Sequence, residues 1–323
     1  MLSIGKTAKK FILIAALCIA GAALILAVTR RPERKIPVPY GSSSREIIRD
    51  LKREKVIRFD YFFRYWLNVL RGARKIRPGH YLFRQGESSY RIVQRLIKGD
   101  SMKVKITIPE GWRSDQIAGL LAEKEICDGN KFLELADEEK LEGFLFPETY
   151  FFSPGETPER VLRAMRALFD RFYDENLKGK AASAEFSRHQ IVTLASLIEK
   201  EAKTTEEKYL ISGIFRNRLR ERWYLESCAT VRYVLKKWSG PLLYEDLKAP
   251  SPYNTYRRLG LPPGPICSPG RVALLASVEP QDTDLFFFVA DDEGTHQFSK
   301  YLKDHVRLKK ERKKRLTLEK SGK

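Results

Sequence analysis

The chain has 323 residues and a formal net charge of +19, from 60 Lys and Arg against 41 Asp and Glu. This length allows a sizeable core in two or three domains, and the charge predicts an anionic neighbour such as lipid headgroups, cell-wall polyanions or nucleic acid. Four scattered cysteines and four histidines exclude a zinc-type ligand pattern, a disulfide framework and a histidine-rich metal site, so we predict no metal and no cofactor.

The first predicted element is a membrane-spanning helix. Phe11 to Val28 is a run of 18 residues without a charge, which is long enough for a span and too long for a typical signal-peptide core. Lysines precede the run and arginines follow it, so the charge pattern does not decide its orientation. We predict an N-terminal segment at 1–10 and an uncleaved single-pass anchor at 11–29.

The pattern Gly-x2-Ser-x2-Ile-x3-Leu occurs three times after this segment. In each copy the Gly ends an extended segment, the Ser suits a helix start, and the Ile and Leu share one helix face. The copies predict small strand–helix modules, although helix-start chemistry is common enough for chance recurrence. They run from Gly41 to Leu51, from Gly86 to Leu96 and from Gly111 to Leu121, the last preceded by a strand at Val104 to Ile108.

The remainder of the chain is predicted to be mainly helical. A segment rich in Pro and Gly, Ala249 to Gly270, predicts a shaped loop, and a short β-hairpin follows it. The predicted helices are about Thr157 to Tyr173, Ser187 to Ala202, Glu206 to Arg220 and Gly270 to Val278, and the hairpin strands are Leu285 to Ala290 and Thr295 to Phe298.

The most informative position is a carboxyl on an apolar helix face. Leu194, Leu197, Ile198 and Glu201 follow the spacing of one face of a helix. Burial among these side chains would raise the pKa of the carboxyl towards that of a proton donor. The alternative is a glutamate at the edge of the apolar face that reaches out to water. Glu199 lies elsewhere on the helix, where an ion pair with Lys203 is expected.

Several blocks of the sequence together resemble endolytic murein transglycosylases of the MltG (YceG-like) type. The order and spacing of the blocks match along nearly the full chain. The blocks are Ala195 to Glu201, Phe215 to Leu219, Tyr253 to Tyr256, Gly260 to Gly264 and Ala290 to Phe298, with Leu141 to Tyr150 upstream.

The resemblance implies an α+β fold in an inner-membrane, single-pass protein whose bulk lies on the periplasmic or extracytoplasmic side. It implies a LysM-like α/β module at 30–108, a mainly helical, lysozyme-like catalytic domain with a short β-hairpin region at 109–306, and a basic C-terminal tail at 307–323. The implied activity is endolytic cleavage of nascent peptidoglycan strands, which ends glycan elongation. Expected partners are the glycan strands, membrane lipid and cell-wall synthases, whereas nucleic acid is not expected.

The resemblance also assigns candidate site residues. Its catalytic glutamate corresponds to Glu201, because two apolar residues stand four and three positions before it; Glu199 is the alternative. Cys228 stands where the family commonly has Asp, in Glu226-Ser227-Cys228-Ala229-Thr230-Val231 against Gln-Thr-Asp-Pro-Thr-Val, so the role of that carboxylate is open and Glu226 could compensate. The candidate substrate-binding residues are Tyr253, Asn254, Thr255, Tyr256, Asn217 and Glu226. For Asn254 the alternative is hydrogen bonding within its own loop, and for Asn217 it is a structural bridge.

Three functions are compatible with these features. A single candidate acid without a clear second carboxylate favours a transglycosylase that forms 1,6-anhydro-MurNAc ends, because glycoside hydrolases usually need two carboxylates. A non-catalytic, membrane-anchored peptidoglycan-binding scaffold is the alternative, with Cys228 marking loss of the active site. A nucleic-acid binder that uses the basic run Arg307 to Arg315 ranks last, since no other element concentrates basic residues.

Overall fold

The computed structural model describes residues 32–183, 186–291 and 295–321. These residues form two compact units. The first contains 32–104 and Ser153–Glu156, and the second contains Lys105–Phe152 and the described residues from Thr157 onwards. Within the described ranges no helix is both long enough and apolar enough to cross a membrane. The anchor predicted at 11–29 lies outside the described residues.

The first unit packs three helices against a two-stranded antiparallel sheet. The strands pair from Glu33 opposite Arg84 to Val38 opposite Gly79. Buried residues of both strands and all three helices form one apolar core, in which Tyr81 and Phe83 are fully buried. The LysM-like assignment of this region stays a prediction. The elements are β1 (Glu33–Val38), α1 (Ser44–Arg53), α2 (Asp60–Val69), β2 (Gly79–Arg84) and α3 (Ser89–Lys98).

The three copies of the glycine–serine pattern form the predicted strand–helix modules. Each copy places its glycine at positive φ, between +71° and +80°, in the turn that connects a strand to a helix. A residue with a β-carbon would be strained there, which explains the glycine. The Ile and Leu of each copy are buried on the inner face of the helix. The first two copies lie in the first unit and the third lies in the second unit.

The second unit is mostly helical and carries two further two-stranded sheets. The mixed, mainly helical α+β class is therefore confirmed. Its last helix runs unbroken from Leu302 to Ser321, so residue 307 does not begin a separate segment of secondary structure. The elements are β3 (Val104–Thr107), α4 (Ser114–Glu123), α5 (Gly129–Glu138), β4 (Thr149–Phe152), α6 (Pro158–Asn176), α7 (Lys178–Ser183), α8 (Arg188–Glu201), α9 (Thr205–Arg220), α10 (Cys228–Leu235), α11 (Arg271–Val278), β5 (Phe287–Ala290), β6 (His296–Ser299) and α12 (Leu302–Ser321).

Helix α8 is the central helix of this unit. It begins with a capping box in which Ser187 and Gln190 each bond the other's backbone N–H. All eight residues from Ile191 to Ile198 are buried, so the prediction of a single apolar face was too narrow. Helices α9, α10 and α11 all pack on α8, and polar positions such as Ser196 therefore also lie inside. The result is a largely buried helix that ends at Glu201.

Candidate active site

Glu201 is the last residue of α8, and its carboxyl points to the start of α10. The hydroxyl of Ser227 donates to Glu201 Oε1 at 2.5 Å, and the backbone N–H of Ala229 donates to the same oxygen at 3.5 Å. The other oxygen, Oε2, has no hydrogen-bond partner among the described residues. One oxygen of the carboxyl is thus held by the protein and the other is left for a ligand.

The surroundings of Glu201 favour the protonated form of its carboxyl. Burial raises the pKa of Glu201, and the hydrogen bonds from Ser227 and Ala229 oppose that rise without cancelling it. This direction is the one predicted from the apolar neighbours Leu197 and Ile198, which are fully buried. The environment of the carboxyl thus favours the protonated form that a general acid requires.

Glu201 opens into a cleft of about 760 Å³. The cleft is lined by parts of the chain that are far apart in sequence, including Arg218 of α9, Cys228 of α10 and Tyr256 of the loop before α11. Its far side consists of β5, β6 and α12, the last contributing three side chains. The set from α12 is His305, Lys309 and Arg312.

Glu199 occupies a different, structural position. Its carboxylate accepts two hydrogen bonds from Lys208 Nζ at 3.0 and 3.1 Å, and one from the backbone N–H of Gly270 at 3.0 Å. The predicted ion pair with Lys203 was wrong, because the tighter partner lies on α9, which packs beside α8. The Glu199 and Lys208 side chains are only 9% and 11% exposed. Glu199 therefore joins α8, α9 and the start of α11, and it does not line the cleft of Glu201.

Two polar groups near Glu201 were not predicted as site residues. His296 lines the cleft, and its Nδ1 lies 3.1 Å from Glu207 Oε2 while its backbone N–H donates to Glu207 Oε1 at 2.6 Å. Burial opposes ionisation of Glu207, but the N–H of Lys203 and the contacts with His296 hold the pKa of this carboxyl below its usual range. Glu207 thereby fixes the imidazole ring in the wall of the cleft.

Arg218 is the second group that was missed. Its guanidinium donates to the carbonyl oxygens of Phe286 at 2.8 Å and Leu225 at 2.6 Å. It thus ties α9 to both the segment before α10 and the hairpin, which are two walls of the cleft. Arg218 and His296 lie within sequence blocks that carry the family resemblance, and this was the available signal. Ser227 could have been noted as the hydroxyl residue where the family has Thr.

The loop Tyr253–Tyr256 contributes less to the cleft than predicted. Tyr256 lines it and its hydroxyl lies 3.1 Å from Cys228 Sγ, but Asn254 is fully buried. The Asn254 amide donates to Leu247 O and Ala249 O, each at 2.9 Å, and its oxygen accepts from Tyr256 N–H. The loop-internal alternative matches these bonds, and no group of Asn254 remains for an N-acetyl group.

The two flanking loop residues also lie away from the cleft. Thr255 is buried, and its hydroxyl accepts from the N–H of Ser227 at 2.9 Å, which positions the residue that binds Glu201. Tyr253 packs on Tyr233, with ring centroids 5.3 Å apart, outside the cleft lining. Thr255 therefore positions another residue of the site, and Tyr253 lies outside the cleft.

Of the remaining candidates, some line the cleft and others do not. Asn217 is a structural bridge, because its amide donates to Thr283 O at 2.8 Å and Leu285 O at 3.2 Å and does not line the cleft. Glu226 lines the cleft, is 43% exposed and lies 3.9 Å from the guanidinium of Arg218. Cys228 also lines the cleft, and burial raises the pKa of its thiol, so it brings no negative charge at neutral pH.

Comparison with known proteins places this chain in a family. The sequence model of the YceG-like family matches residues 36–311. An endolytic murein transglycosylase of Bacillus subtilis is 32% identical over 301 residues, which is 85% of this chain and 83% of that protein. One from Streptococcus pneumoniae is 28% identical, and this match covers 84% of the chain but 57% of the longer relative. The crystal structure of a YceG-like protein from Listeria monocytogenes has a TM-score of 0.56 at 28% identity, covering 86% of this chain and 99% of that one. The resemblance seen in the sequence blocks is thereby confirmed.

Proposed function

Because the chain belongs to the YceG-like family, we propose that it is a lytic murein transglycosylase that cuts inside nascent peptidoglycan strands. The bond cleaved is the MurNAc–GlcNAc glycosidic bond, and Glu201 acts first as general acid and then as general base. The observation that carries this proposal is the Glu201 carboxyl itself, which has a raised pKa, lies in a cleft and keeps one oxygen without a partner among the residues that the structure describes.

The reaction requires no water. Protonated Glu201 gives its proton to the bridging oxygen, and the bond from that oxygen to C1 of the muramyl residue breaks. The carboxylate then takes the proton of the C6 hydroxyl of the same residue while O6 bonds to C1. A 1,6-anhydro end results, Glu201 is protonated again, and the internal hydroxyl supplies the high effective concentration of an intramolecular nucleophile.

The hydrogen bonds at Glu201 suit both steps. Ser227 and Ala229 hold Oε1, so Oε2 is the oxygen that exchanges the proton with the sugar. The same two donors stabilise the carboxylate that exists between the steps. Burial opposes release of the proton from Glu201, and the two donors offset part of that effect.

Hydrolysis is the competing chemistry, and Glu226 is the residue that would perform it. A hydrolase needs a second carboxylate to activate water or to attack C1. Among the described residues that line the cleft, Glu226 is the carboxylate besides Glu201. Glu226 is exposed and lies near Arg218, which also suits a role in substrate binding. Hydrolysis would require the Glu226 carboxylate for catalysis, whereas transglycosylation would not.

The test is product analysis with the purified full chain in detergent micelles and uncrosslinked peptidoglycan strands. We expect anhydro-muramyl ends by mass spectrometry, and a loss of about 10²- to 10⁴-fold in rate for Glu201→Gln. Glu226→Gln should still form anhydro ends. Reducing muramyl ends, formed by the wild type and lost in Glu226→Gln, would instead identify a hydrolase. Strand binding with no turnover would identify the scaffold alternative.

We further propose that the segment 11–29 anchors the protein in the cytoplasmic membrane, with the two units on the extracytoplasmic side and near cell-wall synthases. The uncharged run Phe11 to Val28 supports this proposal. Protease added to intact spheroplasts should digest the two units in a membrane-bound protein. Protection of both units would show the opposite orientation.

A further inference from the structure

Helix α12 is a structural wall of the cleft, although most of it was predicted to be a basic tail. His305, Lys309 and Arg312 are spaced four and three residues apart, so they lie on one face of the helix, and all three line the cleft. The ring of His305 stacks on Phe287 with centroids 5.1 Å apart, which fixes this face against β5. The helix thus presents Lys309 and Arg312 beside the residues that surround Glu201.

The cleft carries an excess of positive charge. Its cationic side chains are Arg218, Arg232, Lys248, Lys309 and Arg312, against the carboxyls of Glu201 and Glu226. Burial, with a contribution from Lys309, lowers the pKa of His305 to about 4, so this residue adds no charge at neutral pH. Nearby cations favour the ionised form of a carboxyl and therefore oppose its use as an acid. These cations therefore do not promote proton donation by Glu201.

Some of these cations already have partners within the protein. Arg218 donates to two carbonyl oxygens, Arg232 donates to the carbonyl oxygens of Lys237 and Gly240, and Lys248 pairs with Glu245. Lys309, in contrast, is exposed and makes no hydrogen bond or ion pair with another described residue. Lys309 is therefore the cation of the cleft that offers its charge to a ligand, and Arg312 lies beside it on the same face of α12.

We propose that Lys309 and Arg312 bind carboxylates of the peptide stems on the substrate strand. This inference rests on the proposed function and names the feature of the substrate that the cleft recognises. The sugar rings and N-acetyl groups of a glycan strand are uncharged, whereas each peptide stem carries carboxylates. The stem is attached to the muramyl residue whose C1 reacts, so it lies beside the scissile bond. The protein then prefers strands that carry stems over bare glycan.

The same helix supplies a matched control. Lys310 and Lys314 lie about 140° and 180° around α12 from His305, since successive residues turn by about 100°. Both are exposed and do not line the cleft. The double variants Lys309→Ala/Arg312→Ala and Lys310→Ala/Lys314→Ala lose the same charge from the same helix. They differ in the face from which the charge is removed.

The experiment compares uncrosslinked strands that carry stems with the same strands after an amidase has removed the stems. For the full-length wild type we expect a lower KM on strands with stems, and a difference that shrinks as salt is added. In Lys309→Ala/Arg312→Ala the ratio of the two KM values, without stems over with stems, should fall about five- to tenfold. The control variant should keep the ratio of the wild type. Lys309→Glu, a single change at an exposed position, should reduce it further and guards against misfolding of the double variant.

Each other outcome has a distinct meaning. Equal KM values for both substrates in an active wild type would overturn the stem site and leave the proposed function intact. The same would follow if the control variant lost as much as Lys309→Ala/Arg312→Ala, because the attraction would then be general. A third outcome is that a glycerol phosphate polymer inhibits cleavage, that the Lys309 variants weaken this inhibition, and that removing the stems changes nothing. The ligand of this face would then be a phosphodiester polyanion and not the stem. If no strand is cleaved the proposed function fails, and equilibrium binding of the two strand types then decides the stem site.

Discussion

Replacing Ser227 by alanine removes the shorter of the two hydrogen bonds to Glu201 Oε1. The Ser227 hydroxyl donates, so it stabilises the carboxylate and lowers the pKa of Glu201 from the value that burial alone would set. Without this donor the protonated acid is favoured. The pKa of Glu201 should therefore rise, and the enzyme should keep its acid protonated to higher pH.

The size of this shift follows from the strength of the bond. A hydrogen bond to a charged group contributes about 1.5–3 kcal/mol, and one pKa unit corresponds to about 1.4 kcal/mol. The shift would be about one to two units if nothing compensated. The N–H of Ala229 remains in place, and water can partly replace the lost hydroxyl, so we expect about one unit.

The assay is the pH dependence of kcat/KM on uncrosslinked glycan strands, which reports ionisation of the free enzyme. In Ser227→Ala the alkaline limb should move to higher pH by about one unit. Ser277→Ala is a matched control, because that hydroxyl is buried, bonds to Leu274 O within α11 and does not line the cleft. An alkaline limb that stays in place, or moves to lower pH, would refute the assignment of Glu201 as the acid that Ser227 tunes.

Three further predictions concern ionisable side chains. Lys208→Met should lower the free energy of unfolding by about 3 kcal/mol in urea titrations, because it leaves Glu199 buried without its cation. The folded fraction of Glu199→Gln should still cleave strands. Glu142 lies between α5 and β4, where its carboxyl accepts from the N–H of Ser114. Burial raises the pKa of Glu142 from 4.5 to about 7, so the folded protein holds a proton that the unfolded chain releases. Stability should fall by about 3 kcal/mol between about pH 4.5 and 7, and Glu142→Gln should abolish that part of the fall in unfolding measured at pH 5 and 8. Cys228→Asp should place a second negative charge near Glu201 and move the alkaline limb up by as much as about one unit, whereas Cys228→Ser should not move it.

Local features of the chain were predictable from the sequence. Helix α8 was expected over Ser187 to Ala202 and runs from Arg188 to Glu201, because its capping residues and apolar spacing are both local signals. The repeated glycine turns and the β5–β6 hairpin were also predicted. The apolar spacing from Leu194 to Glu201 singled out a carboxyl whose pKa is raised by burial, although α8 is buried nearly all round. Periodicity shows only which face is most apolar, and it does not show how many neighbours a helix will have.

Contacts between distant segments were not predictable in the same way. Glu199 pairs with Lys208, nine residues further along the chain, because the turn between α8 and α9 brings the two helices side by side. Asn254 was a candidate ligand, yet its amide is used by carbonyl oxygens of its own loop. Such partners depend on the fold of the loop. The face of α12 that lines the cleft was not predictable either, because lysines and arginines occur on every side of this helix and give no periodic signal.

The position of Glu201 at a helix end has one more consequence. A helix presents roughly half a negative charge at its C-terminus and half a positive charge at its N-terminus. The carboxyl lies where the end of α8 meets the start of α10, so it experiences both dipole fields with opposite sign. A small displacement of one helix along the other would change the balance of these fields. The proton affinity of Glu201 would then change without any substitution of a side chain.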